Sequence, residues 1–182
     1  MKKLIRLALI CAFAVSFSLP GGAAAAAPKA FNATLQVWAV DPGTVTQVGA
    51  RRLTTGEKIN GIVVASPEWS ELAGAFLVVD HSSNVLIDPA TGNILDGHAH
   101  ASFALVRDGS AISGVYRSKI SGNFSGMPGT SFTDEGGWTI VKATGVYAGT
   151  QSHGNWTATL GPAILGGIPT FAGLAQFSGT YN

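Results

Sequence analysis

Cysteine is all but missing from these 182 residues: Cys11 stands alone, so no disulfide can form within the chain. Charge is scarce, with Asp, Glu, Lys and Arg at 12%. Disorder needs low hydrophobicity and high net charge, and 46% apolar residues run against it. No uninterrupted apolar run reaches the roughly 20 residues of a membrane-spanning helix. The longest such stretch, residues 4–19, is broken by Ser16 and Ser18 and closed by Pro20-Gly21-Gly22. Beyond residue 28, helical periodicity is nearly absent. No P-loop, G-x-G-x-x-G fingerprint or G-x-S-x-G elbow occurs, which excludes the usual phosphate, dinucleotide and serine-hydrolase signatures. No cofactor is expected.

What is present divides near residue 28. Lys2, Lys3 and Arg6 make a positive start, Leu7 to Leu19 is apolar, and Ala23 to Ala27 offers small-residue cleavage sites before Pro28. That order is the pattern of an export signal. Residues 1–27 are therefore expected to be removed, with the cut between Ala25 and Ala27, leaving a secreted or periplasmic protein with no stable membrane anchor. A lipoprotein signal is disfavoured because bulky Ile10 precedes Cys11.

Lys2, Lys3 and Arg6 are three of the eleven basic residues, so residues 28–182 carry eight against ten acidic ones, a net of −2. Arg51-Arg52 is the one basic pair there. Nucleic acid and anionic membrane both demand clustered Lys and Arg, so neither is expected as a partner. About 155 residues bury enough surface for a single domain without staples. The sequence leaves oligomerisation open.

The dominant period is two. Phe31, Ala33, Leu35 and Val37 alternate with Asn32, Thr34 and Gln36, as in a half-buried strand. Val45 to Leu53 and Lys58 to Ala65 read as a hairpin around Thr54-Thr55-Gly56-Glu57. Gly74 to Asp80 and Asn84 to Asp88 read as short strands broken near His81-Ser82-Ser83. Asp88-Pro89 and Gly92 mark a turn into a long strand, Leu95 to Arg107, which Asp108-Gly109 reverses into Ala111 to Phe124. Gly126 to Ser131 is a loop. Trp138 to Thr144, Gly154 to Leu160 and Phe171 to Tyr181 follow as strands, with Gly161 to Pro169 as an apolar connection over one mouth. One helical turn is expected at Pro67 to Leu72, capped by Ser66.

Along the last strand Phe171, Phe177 and Tyr181 share parity with Gly173, Ala175 and Gly179. Alternating large and small residues on one face fits the inside of a narrow barrel. The fold expected is all-β: one antiparallel barrel of eight to ten strands over residues 28–182, its last strand closing onto its first.

Gly97-His-Ala-His-Ala-Ser-Phe-Ala-Leu105, Ile112 to Phe124 and Gly136 to Gly149 resemble the bacterial secreted relatives of the allene oxide cyclase and dirigent barrels. Those carry a segment of the form GGTGxYxGAxGxG between two late strands. Here Gly145, Tyr147, Gly149 and Gly154 match it within Lys142 to Gly154, while Lys142 and Ala143 replace two glycines. The resemblance spans roughly residues 95–160. It implies an eight-stranded antiparallel barrel with an apolar lumen and transfers no catalytic residue.

Candidate chemistry is thin. His98 and His100 form an H-x-H pair whose imidazoles share a strand face, with Asp80, His81 and His153 as nominal third ligands. Phe103 and Leu105 have the opposite parity, which turns the histidines to water, so no metal site is assigned. Asp134-Glu135 reads as an acidic turn. Tyr116, Ile120 and Phe124 are placed inward, and Arg117 and Lys119 outward. An arginine inside the lumen would instead make an anion or enolate site, since an unpaired buried charge is costly. Trp38, Trp69, Trp138 and Trp156 are read as core or barrel-end plugs.

The lumen wall that a ligand would touch is assigned to Phe103, Tyr116, Trp138, Phe177 and Tyr181. No catalytic residue is assigned. The function expected is binding of a small apolar molecule in the lumen. The alternatives are a cyclase- or isomerase-like enzyme acting on a flexible apolar substrate, and a structural or interaction protein with a filled barrel.

Overall fold

The computed structural model describes residues 27–182, so the export signal read over residues 1–27 lies outside the described residues but for Ala27. Nine strands follow one another: β1 Lys29–Asp41, β2 Thr44–Val48, β3 Arg51–Ala65, β4 Phe76–Ile87, β5 Ile94–Arg107, β6 Ser110–Gly122, β7 Phe132–Thr144, β8 Ser152–Leu165 and β9 Ile168–Tyr181. Each of β3 to β8 pairs antiparallel with the next. β1 closes the ring, pairing with β9 (Phe31 opposite Gly179) and with β3 (Val37 opposite Gly61). β2 continues along the same edge of β3, with Val48 opposite Arg51. The result is an eight-stranded antiparallel barrel plus one added strand.

Burial follows parity. On β1, Phe31, Ala33, Leu35 and Val37 are 1–2% exposed, and Asn32 between them is exposed. Burying a large apolar side chain contributes about 1.5–3 kcal/mol, so the two-residue period fixes which face points inward. Eight strands enclose a lumen about wide enough for side chains to fill. Trp138 stacks on Phe177 with ring centroids 4.1 Å apart, and Phe103 meets Phe177 at 5.5 Å. Gly179 makes that stack fit: a Cβ there would lie 2.8 Å from Cζ2 of Trp138.

One end is plugged by residues 66–75. Trp69 stacks on Tyr181 at 4.2 Å and meets Phe31 edge-on at 5.1 Å. Tyr147 donates its hydroxyl to the Glu71 carbonyl at 2.6 Å, and Tyr181 donates to that of Glu68 at 3.0 Å. The helical turn expected at Pro67 is a 3-10 turn, Ser70–Leu72, preceded by Trp69. Ser66 does not cap it; its hydroxyl donates to the Trp69 carbonyl at 2.7 Å.

Four other expectations need correction. The first hairpin reverses at Gly49-Ala50, and Thr54 to Glu57 is a bulge inside a continuous β3. β4 runs unbroken through His81-Ser82-Ser83, paired residue for residue with Ala101, His100 and Ala99. Gly161 to Pro169 is paired β8–β9 hairpin around Gly166-Gly167, not an unpaired cover. Asp134-Glu135 is strand, not turn. The two side chains point opposite ways, Asp134 buried in the barrel and Glu135 outside.

The bulge matters most. Before it, Arg52 and Thr54 point inward; after it, Glu57, Ile59, Gly61 and Val63 do. Two inward residues five apart have opposite parity, which an unbroken strand cannot reconcile. An extra residue does so, with Gly56 at φ +69°. Across from it, the chain breaks between β1 and β2 at Pro42-Gly43. A Cβ on Gly43, already at φ +64°, would lie 2.6 Å from the Glu57 nitrogen.

Candidate functional site

The sequence reading called the lumen apolar throughout. Halfway up, it is not. On neighbouring β3 and β4, Glu57 lies opposite His81, and His81 Nδ1 is 2.8 Å from Glu57 Oε2. With the proton on Nδ1, the imidazole donates to the carboxylate. His81 Nε2 faces the barrel axis 3.8 Å from Asp134 Oδ2, too far for a hydrogen bond. Tyr116 donates to the same carboxyl oxygen over a long 3.5 Å. Ser118 and Trp156 turn polar atoms toward Asp134 without completing a hydrogen bond.

Burial pushes the Asp134 carboxyl above the ordinary carboxylate range, opposed by the neighbouring Ser118 hydroxyl and the His81 imidazole. Burial, and then the charges of Asp134 and Glu57, hold the Tyr116 phenol well above its usual range. Tyr116 is thus a fixed donor, and Asp134 holds a proton more tightly than an exposed carboxyl does. His81 Nε2, Asp134 Oδ1, Ser118 Oγ and Trp156 Nε1 are buried polar atoms with no partner among the described residues. Such atoms cost stability unless a further group meets them.

The cluster opens toward the end opposite the Trp69 plug. At this mouth a half-open rim cavity of about 380 Å³ is walled by Trp38, Phe124 and Phe171 and by the exposed Val40, Leu165 and Ile168, with Arg52 and Glu57 as inner polar residues and Asp41 at the edge. Arg52 lies with its guanidinium carbon 4.8 Å from the centre of the Phe124 ring. Its Nε is buried without a hydrogen-bond partner, and it forms no ion pair among the described residues. Glu57 connects the two regions. Its side chain is 21% exposed, against 6% for both His81 and Asp134, so it alone of the three reaches the cavity. The arrangement is a proton acceptor and a fixed cation facing one apolar space, with a histidine behind the acceptor.

The five residues assigned to the ligand wall all face the lumen and are brought together, but largely against one another. Phe103, Trp138 and Phe177 form the stack described above, Tyr116 stacks on Trp156 at 5.6 Å, and Tyr181 belongs to the plug. The mouth residues Arg52 and Glu57 escaped sequence reasoning because the bulge hides their common face. The signal that could have found them was Gly56, a glycine inside a strand that continues on both sides of it.

His98 and His100 point outward as expected. His98 Nε2 is 3.1 Å from Asp96 Oδ1, and no group of three metal-ligating side chains occurs among the described residues. They border a shallow outer depression of about 1030 Å³ with Asp80, Ser82, Ser102 and Arg117. Outward mid-strand positions also hold Lys58, Lys119 and Glu135.

Fold and cavity define a closed antiparallel barrel, plugged by Trp69 at one end and packed at the other by Val85, Ile120, Phe124, Phe132 and Phe171, with a rim cavity that reaches Glu57. Comparison with protein-family models, curated proteins and solved structures returns no match.

Proposed function

We propose that the barrel binds a small, largely apolar molecule in the cavity at its mouth. One observation carries the reading: the cavity walled by Phe124, Leu165, Ile168 and Phe171 has the volume and the apolar lining, with few polar groups, of a small-molecule site. Phe103, Tyr116, Trp138 and Phe177 then form the packed floor beneath the ligand rather than its wall. Glu57 at the inner face of the cavity favours, as a second reading, an isomerase-like enzyme acting on such a molecule.

The same proposal takes the chain to be exported and related to the allene oxide cyclase and dirigent barrels. Export rests on the residue pattern of positions 1–27, and the relationship on the antiparallel closure of eight strands and the place of the Lys142 to Gly154 segment across the β7–β8 connection.

Native mass spectrometry of the protein purified from its exported fraction tests the reading. A retained adduct of small-molecule mass, lost on Phe171→Ala, is the expected result. A barrel that carries nothing from several extracts and takes up no apolar dye is a filled scaffold instead.

A further inference from the structure

We infer that the mouth cavity is a proton-transfer site for a neutral, apolar ketone or aldehyde, with Glu57 as proton acceptor and Arg52 facing the carbonyl oxygen. This rests on the binding reading above and names the chemistry of the ligand.

The charges select the class. Arg52 and Glu57 are the inner charges of the cavity; its third charged residue, Asp41, is exposed at the rim and accepts the Gly43 amide hydrogen at 2.9 Å. A permanently anionic ligand would meet the Glu57 carboxylate there, and a cationic one the Arg52 guanidinium. A neutral molecule that loses a proton at one atom while gaining negative charge at another suits both. An enolisable carbonyl compound does this. The two side chains do not neutralise each other: Arg52 lies over Phe124 with its Nε unpartnered, and Glu57 is tied to His81.

The steps balance without an added reactant. A Glu57 oxygen takes the proton from the carbon beside the carbonyl. The C–H electron pair becomes the new carbon–carbon double bond, and the carbonyl π pair moves to oxygen. Arg52, its Nε buried and unpartnered, meets that oxyanion as a charge already in place. Glu57, 21% exposed, trades that proton with solvent and delivers a solvent proton to the same carbon, giving exchange, or passes the proton to the far end of a conjugated system, giving isomerisation. His81 is a positioning residue: Nδ1–H holds Oε2 and leaves Oε1 to face the ligand.

The test uses 2-tetralone, an apolar ketone with acidic C–H bonds, and the barrel in D2O. Mass spectrometry reads deuterium uptake, and saturation-transfer NMR reads binding. The wild type should exchange the ketone faster than buffer. Glu57→Gln, which preserves a hydrogen bond to His81, should slow it about 100-fold or more with binding retained. Arg52→Met should lose on the order of 100-fold, with partial rescue in Arg52→Lys. Arg117→Met on the outer wall should leave the rate unchanged.

Ketone that binds but exchanges no faster than in buffer overturns the inference, as does undiminished exchange in Glu57→Gln. In either case uptake of an apolar dye would leave the binding reading standing. If Glu57→Gln fails to fold by circular dichroism, the two Arg52 variants decide.

Discussion

Asp134 is the residue on which the inside of this barrel departs from a plain apolar core. Its folded carboxyl holds a proton more tightly than the unfolded chain does. The stability it contributes is therefore complete below the ordinary carboxylate value of 3.8 and is lost as pH rises toward its own, higher value. The loss runs at about 1.4 kcal/mol per pH unit across that window. Asp134→Asn removes the slope, so its urea midpoint should gain on the wild type between about pH 4 and about pH 7. An advantage that is equal at both pH values contradicts the raised carboxyl. Phe177 tests the packed floor: Phe177→Ala should cost about 3–5 kcal/mol in urea unfolding, because Trp138 and Phe103 both lean on its ring. At this scale the sequence was readable wherever burial is apolar. The inward set Phe31, Leu35, Phe103, Tyr116 and Phe177 follows from period two alone. Asp134 was not readable, since a charged residue beside Glu135 and near glycines reads as a turn.

At the scale of elements, the extents of β5 and β6 and the turns at Asp108-Gly109 and Asp88 to Gly92 were legible, whereas β7 and β8, read as Trp138 to Thr144 and Gly154 to Leu160, are about twice as long. The positions of β3 and β4 relative to those turns were not legible. Gly56 and its neighbours have the composition of a turn, yet pairing of β3 with β4 on one side and with β1 and β2 on the other holds them in the wall. His81-Ser82-Ser83 likewise has weak strand propensity, overridden by pairing with β5. Gly56→Ala should cost about 1–2 kcal/mol, because a Cβ is disfavoured at φ +69° even with open space around it. Deleting Gly56 should do more. It restores simple alternation, turns Arg52 to the outer wall and should abolish dye binding while the far-UV circular dichroism remains that of a β-protein. Retained binding in the deletion variant would show that the bulge does not set the mouth.

The whole molecule is a tube of unequal halves: a Trp69 plug and stacked aromatics below, a Glu57–His81–Asp134 floor in the middle, and an apolar mouth above. Closure of β9 onto β1 was legible because an exposed edge on that last, amphipathic strand invites aggregation. Where the tube is filled and where it is open was not, since that depends on which side chains meet across it. The most direct measurement is a titration with N-phenyl-1-naphthylamine, a dye that fluoresces in apolar surroundings, against the wild type, Ala39→Trp and Val115→Trp. Ala39 borders the mouth cavity, and Val115 faces the outside. Saturable binding of one dye per barrel, lost in Ala39→Trp and kept in Val115→Trp, is the predicted result. Dye binding that survives Ala39→Trp, or that Val115→Trp removes, would place the ligand elsewhere and contradict the mouth as the site.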